Sequence, residues 1–207
     1  MHIPDGVLSG TIAVATGGLA CAGAGVGLRK MDYERVARVG LLSAVFFVAS
    51  LIRVPIPPAS AHLLLIGLIG LLLGWAAFPA LLVALLLQAI LFGFGGLTAL
   101  GANVVIMATP AVACHYVFVR HLRRVASLRG MFLLGFAAGA TGIALACGIL
   151  GVVLFASGKA YLGAIGAIAV GHVPVMVIEG FVTGACVAFL FNVRPELLDT
   201  TLKRPAA

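Results

Sequence analysis

Apolar residues run in long blocks along this chain, and polar residues gather in the gaps between them. From Val54 to Val119 there is no Asp, Glu, Lys or Arg. A bilayer-crossing helix needs about 20 mostly apolar residues, so that block alone predicts about three crossings. The whole pattern predicts seven spans: Val7–Leu28, Val36–Ile52, His62–Phe78, Pro79–Phe94, Leu97–Val119, Met131–Ala156 and Val173–Asn192. The apolar run ending at Asn192 is too long for one crossing. Its Gly- and Ala-rich first part, Ser157–His172, is therefore read as a re-entrant or surface segment rather than an eighth span. The expected fold class is all-α, a polytopic membrane protein built as a single integral membrane domain.

Composition agrees, with 63% hydrophobic and only 9% charged residues. A net charge of +7 raises the question of nucleic acid. The basic residues sit at the ends of apolar runs instead of forming a stripe interleaved with aromatics, so nucleic acid is rejected as a partner. Their distribution follows the positive-inside rule. With the N-terminus outside, Arg29, Lys30, Arg35, Arg38, Arg120, Arg123, Arg124, Arg129, Arg194, Lys203 and Arg204 lie inside, eleven in all, against Arg53 and Lys159 outside. The orientation read is N-terminus out and C-terminus in. The first residues carry no basic n-region, and Asp5 stands where one belongs, so they are not read as a secretory signal. Cys21, Cys114, Cys147 and Cys186 all lie within apolar runs and form no Cys-x-x-Cys pair, which makes them small packing residues.

The same topology sorts the five histidines. His2, His62 and His172 fall on the outer side, while His115 and His121 fall at the inner side. The opening hexapeptide MHIPDG then acquires a chemistry. The Met1 α-amine, the His2 backbone nitrogen and the His2 imidazole can close two fused chelate rings on one metal. One further nitrogen completes a square, a geometry suited to Ni(II) or Cu(II), and imidazole serves several late first-row metals. Amide ligation requires loss of its proton, so affinity should rise with pH. His62, at the end of RVPIPPASAH, is the first candidate for the fourth nitrogen. His172, in GHVPVMVIEG, is the second. Single histidines in such places are more often interfacial side chains with a hydrogen-bond partner.

Other polar groups stand out against the apolar background. Glu179 is the only acid deep in a span, and intramembrane acids are rare and usually functional. It either orients a ligand histidine, receives a proton, or ties helices together by a buried hydrogen bond. Gln88, Thr98 and Asn103 lie in or near the loop GFGGLTALGAN, whose GFGGLT lacks the spacing of a dinucleotide loop and reads as a flexible turn. They form an outer shell around a metal, or satisfy backbone groups freed by the turn. Small-xxx-small pairs (Gly23/Gly27, Gly70/Gly74, Gly135/Gly139, Gly180/Gly184) predict close helix packing. No phosphate-binding Walker loop, His-Glu-x-x-His or Gly-x-Ser-x-Gly motif occurs. The chain is thus expected to be neither an ATPase nor an enzyme of a recognisable catalytic class.

Three stretches together carry a resemblance: MHIPDG at the start, SAHLLLIGLIGLLLGWAAFPALLVALLLQAILFGFGGLTALGAN in the middle and HVPVMVIEG near the end. They resemble the CbiM/NikM family, the substrate-binding S components of energy-coupling-factor (ECF) transporters for cobalt and nickel. The resemblance covers nearly the whole chain. It implies an S-component helical bundle with an extra N-terminal helix. It also implies a metal site made by the Met1 amine, the His2 backbone nitrogen and imidazole, and His62. Residues 1–6 then form a metal-binding segment, 7–192 the bundle and 193–207 a cytoplasmic tail. PPASAH departs slightly from the family's Ser-Ser-Val-His wording but keeps the histidine. The implied substrate is Co(II) feeding cobalamin biosynthesis, with Ni(II) or a stand-alone secondary metal transporter as the alternatives. The implied partners are a transmembrane coupling (T) subunit, a cytoplasmic ATP-binding-cassette ATPase and a small accessory membrane subunit, in a bacterial cytoplasmic membrane. The resemblance gives His172 and Glu179 no direct ligand role.

Overall fold

In the computed structural model, residues 2–56, 59–158 and 161–199 are described. They form α1 (Gly10–Arg29), α2 (Val36–Ala49), a hairpin of β1 (Arg53–Ile56) and β2 (Ala59–His62), α3 (Ile66–Leu73), α4 (Ala77–Phe92), α5 (Leu100–Leu122), α6 (Leu128–Ser157), α7 (Leu162–Val193) and α8 (Pro195–Asp199). Among the described residues, five helical stretches are long and apolar enough to cross a membrane, one of them being Ile66–Phe92. That stretch is not one rod. His62 Nδ1 lies 2.9 Å from the Ser50 carbonyl, and the Gln88 amide also meets Ser50, so both ends of the segment reach the same place. The chain therefore reverses between α3 and α4. With α2, this gives seven legs that alternate in direction.

The reversal falls at Gly74–Ala76, earlier than the Phe78/Pro79 boundary expected from hydropathy. Gly74 has φ +56, a left-handed conformation open to glycine at little cost. It is thus a turn residue and not half of a helix-packing pair with Gly70. Pro79 sits in the first turn of α4, where its missing N–H removes no intrahelical bond.

The other small-residue pairs do make close contacts. Gly135 lies against Gly184, and Gly139 against the Glu179 carbonyl, interlocking α6 and α7. Gly23 and Gly27 admit Phe78, Trp75 and Pro79 onto α1. The core fills the space between α3, α4, α5 and α6 with residues such as Ile66, Leu81, Ile106, Met107 and Ile143. Large apolar side chains, among them Val14, Ile90, Val152, Val170 and Phe189, remain exposed around the bundle, as lipid contact requires.

One expectation is corrected. The segment Ser157–His172 is neither re-entrant nor a surface strip: from Leu162 onward it is the first part of α7. That helix is 32 residues long, or about 48 Å at 1.5 Å per residue, well beyond the hydrocarbon thickness. Its excess is stabilised by α6, itself 30 residues, which runs alongside it. The segment before His62, between the second and third spans, forms an antiparallel hairpin pairing Arg53 with His62 and Pro55 with Ser60. A two-stranded ladder consists of edges only, which is where proline is tolerated. Pro57, Pro58 and Lys159 lie outside the described residues.

Candidate metal-binding site

Of the residues from His2 to Val7, Ile3 is buried, His2 and Val7 are half-buried, and Pro4, Asp5 and Gly6 are exposed. The segment lies across one end of the bundle, held at four points. Asn103, at the start of α5, grips the backbone of Ile3: its Oδ1 accepts from the Ile3 N–H at 2.8 Å and its Nδ2 donates to the Ile3 carbonyl at 3.1 Å. The Thr98 N–H and hydroxyl both donate to Asp5 Oδ1. The Tyr161 hydroxyl donates to the Val7 carbonyl at 3.1 Å. His2 Nε2 lies 3.0 Å from Gln88 Oε1. Ile3 itself is buried, 2% exposed, and anchors the segment in the core.

The glycine loop between α4 and α5 makes this possible. Gly95 and Gly96 both have positive φ, and a Cβ on Gly96 would collide with the Asp5 carboxylate. The loop was expected to be a flexible turn. In the fold it is a cradle shaped to the N-terminal segment. Hydrogen bonds from the Thr98 hydroxyl, with its backbone N–H, hold the Asp5 carboxyl below its ordinary value. A lowered carboxyl contributes fully above its unfolded value and loses that contribution only as pH falls through the lowered one, so the tie is intact at neutral pH.

Two imidazoles meet here. The rings of His2 and His62 have centroids 5.9 Å apart and planes at 80°. Metal–imidazole bonds of about 2.0–2.1 Å put each ring centre about 3 Å from an ion, so two rings on one ion lie up to about 6 Å apart. The observed spacing fits. Ser50 ties the pair together. Its carbonyl accepts from His62 Nδ1–H, which leaves the His62 lone pair on Nε2. Its hydroxyl accepts from the Gln88 amide, and it donates to the Phe47 carbonyl at 2.8 Å. Gln88 Oε1 in turn takes the His2 Nε2–H, which assigns the His2 lone pair to Nδ1. Nδ1 is the nitrogen that closes a six-membered ring with the His2 backbone nitrogen. Gln88 is wholly buried and fixed by these bonds. Gln88→Ala is expected to weaken metal affinity about tenfold, as loss of an outer-shell partner does; titration of the variant checks it.

The remaining predicted residues separate clearly. His172 lines the same cavity of about 460 Å³ as His2, His62, Phe94 and Tyr161. Its Nδ1 bonds the Ile168 carbonyl of its own helix at 2.7 Å. Glu179 is fully buried, but its carboxylate accepts from the Leu64 and Leu65 N–H groups and meets no imidazole. Leu65 has φ +51, a strained value for leucine, and immediately precedes α3. Glu179 thus clamps the strained turn just after His62. Met1 lies outside the described residues. Among the described residues, no group of three or more His, Cys, Asp or Glu side chains is placed to hold a metal ion. Sequence reasoning missed Ser50 and Tyr161. Both are polar residues at span ends, and nothing local marks them as partners of residues far along the chain.

Comparisons with known proteins show the family. Residues 2–197 match the CbiM family, described as the cobalt uptake substrate-specific transmembrane region. A Haemophilus influenzae protein provisionally named for metal transport is 42% identical over 97% of this chain and 98% of its own. The cobalt transport protein CbiM of Sorangium cellulosum is 32% identical, covering 96% of this chain and 95% of its own. A crystal structure described as a transition metal transporter superposes with a TM-score of 0.74 at 27% identity, covering all of both chains. These relatives are transport proteins and not enzymes, and this multi-pass chain belongs with them to the CbiM family of cobalt and nickel uptake components.

Proposed function

We propose that this chain captures Co(II) for an ATP-driven ECF-type importer feeding cobalamin biosynthesis, and that it is the S component of that machine. The observation that carries the proposal is the pairing of His2 and His62 through Ser50 and Gln88, at 5.9 Å between rings. The ligand set is the Met1 amine, the His2 backbone nitrogen, His2 Nδ1 and His62 Nε2. Gln88 and Ser50 fix the tautomers, while Asn103 and Thr98 seat the segment. His172 stands in the cavity wall as an outer residue.

Nickel is the second reading. A planar set of nitrogens suits Ni(II), and affinity at a given site rises from cobalt to nickel. The fused nickel transport protein NikMN of Rhodobacter capsulatus is 36% identical over all of this chain, which spans 66% of that longer protein. Its fused name also fits a second membrane component working beside a chain like this one. ATP hydrolysis then belongs to a partner ATPase joined through a T subunit. A stand-alone secondary transporter needs a coupling-ion relay. The one deep acid, Glu179, is engaged with backbone amides, which disfavours that reading. Basic side chains such as Lys30, Arg35, Arg38 and Arg123 lie at the end opposite His2. This supports a cytoplasmic-membrane orientation with the metal site outside and the C-terminus inside.

Titration of Co(II) and Ni(II) into the purified chain with its native N-terminus tests the site. His62→Ala is expected to weaken binding about a hundredfold and His172→Ala less than about tenfold, the lower figure being that of an outer-shell residue. The reverse ranking would move the fourth ligand to His172. Uptake by this chain alone, driven by a proton gradient in liposomes, would overturn the ATP-driven reading.

A further inference from the structure

Three imidazoles line the cavity of about 460 Å³, yet only two of them pair. His2 comes from the N-terminal segment, His62 from the end of β2 and His172 from α7. Among the described residues no group of three such side chains is placed to hold one ion, so the three imidazoles are not gathered at a single point. His172 is left with no part in the ligand set of the site.

Its ring is nonetheless arranged as a ligand. A carbonyl only accepts, so the 2.7 Å contact with the Ile168 carbonyl puts a proton on His172 Nδ1. The neutral ring then carries its lone pair on Nε2. Ile168 lies one turn back on the same helix, and the ring is half-buried. This tie involves neither the N-terminal segment nor the hairpin.

The rest of the wall offers an ion little. Leu150 and Leu154 of α6, with Phe94 and Ile168, present carbon. The Tyr161 hydroxyl is engaged with the Val7 carbonyl at 3.1 Å. Six waters occupy about 180 Å³ at about 30 Å³ each, so the cavity has room for an ion with its first hydration shell intact. Water can therefore be exchanged for nitrogen inside the cavity, one ligand at a time, and His172 offers a nitrogen there outside the final pair.

We propose that His172 Nε2 is an entry ligand, the first protein nitrogen to bind the incoming ion, which then passes to His2 and His62. It replaces one water of the hydrated ion, one metal–nitrogen bond forming for one metal–oxygen bond broken, with no proton moved. It leaves again as His2 Nδ1 and His62 Nε2 take hold. The proposal rests on the reading of His2 and His62 as the metal site. A group used only in transit stabilises neither end state, so its loss slows entry and exit alike and leaves affinity nearly unchanged. Loss of a permanent ligand acts mostly on the rate of dissociation.

The test follows Co(II) binding to the full chain with its native N-terminus by stopped-flow absorbance, and dissociation into excess chelator. His172→Phe keeps an aromatic ring without a donor, and His172→Ala removes the ring. Both are expected to slow association and dissociation about tenfold each, within the span over which variants of one site differ in association rate. Kd should be nearly unchanged, and so should the visible spectrum of bound Co(II), which also reports an intact fold. Association as fast in His172→Phe as in the native chain would overturn the proposal and leave the His2–His62 site standing. A changed Co(II) spectrum with a large loss of affinity would overturn it too, by making His172 a permanent ligand. So would two ions per native chain falling to one in both variants, which would assign His172 to a separate site. Absence of tight Co(II) binding by the native chain would remove the His2–His62 reading and the proposal with it.

Discussion

Acetylation of the Met1 amine is expected to lower metal affinity by at least about a thousandfold, well past the 10–100-fold loss typical of an outer-shell change. In the proposed ligand set the amine, the His2 backbone nitrogen and His2 Nδ1 would close fused five- and six-membered rings, so that each donor raises the effective concentration of the next. Blocking the amine opens the first ring and leaves the amide with no neighbouring donor to favour its deprotonation. What remains is two imidazoles 5.9 Å apart, which is half the proposed donor set. A six-residue N-terminal tag should act in the same way. A single added residue is a poor substitute: it makes histidine third in the chain, and an amine, two amides and an imidazole then form a new four-nitrogen chelate. Affinity of the native chain should rise with pH, because the amide proton must leave and the amine must be neutral. Normal binding by the acetylated protein, or affinity independent of pH, would remove the amine and the amide from the ligand set.

Glu179→Ala should destabilise the protein by about 2–6 kcal/mol, since two buried backbone N–H groups lose their acceptor and each such loss costs about 1–3 kcal/mol. Those groups belong to Leu64 and Leu65, and Leu65 holds φ +51. Without the carboxylate the turn relaxes, and His62 is only two residues upstream of it. Metal affinity should therefore fall with stability. Glu179→Gln keeps one carbonyl oxygen for the same donors and should recover much of both. Denaturant unfolding and metal titration of the two variants give the answer. A stable Glu179→Ala protein that binds metal normally yet fails to transport would point to proton transfer at this carboxyl instead of a clamp.

These two residues mark the limit of what the chain discloses in one dimension. Hydropathy and charge located the spans, because a bilayer imposes length and composition on every helix that crosses it. The two histidines were legible because a terminal amine beside His2 is chelate chemistry written in adjacent residues, and because charge bias sorted His62 onto the same side. Gln88 and Asn103 were noticed as polar residues in an apolar setting, but their partners are 86 and 100 residues away in sequence. Hydropathy carries no signal for such distances. Glu179 was recognised as unusual, yet its partners are the amides of Leu64 and Leu65, and any residue type supplies an amide. The Gly-rich loop read as flexible for the same reason. Glycine spacing cannot tell an open turn from one vacated for Asp5 to approach.

The sequence by itself determined the class of protein, the number of legs and that His2 and His62 fall at one end of the bundle, since each rests on composition and charge along the chain. Tertiary structure alone decided that the third leg ends at Gly74, that α7 starts at Leu162 and lines the cavity, and that Ser50 joins the two histidines. Those outcomes depend on which backbone groups the folded helices leave in need of a partner. Only packing settles that, because hydrogen bonds and close contacts between distant segments exist only after the helices have met.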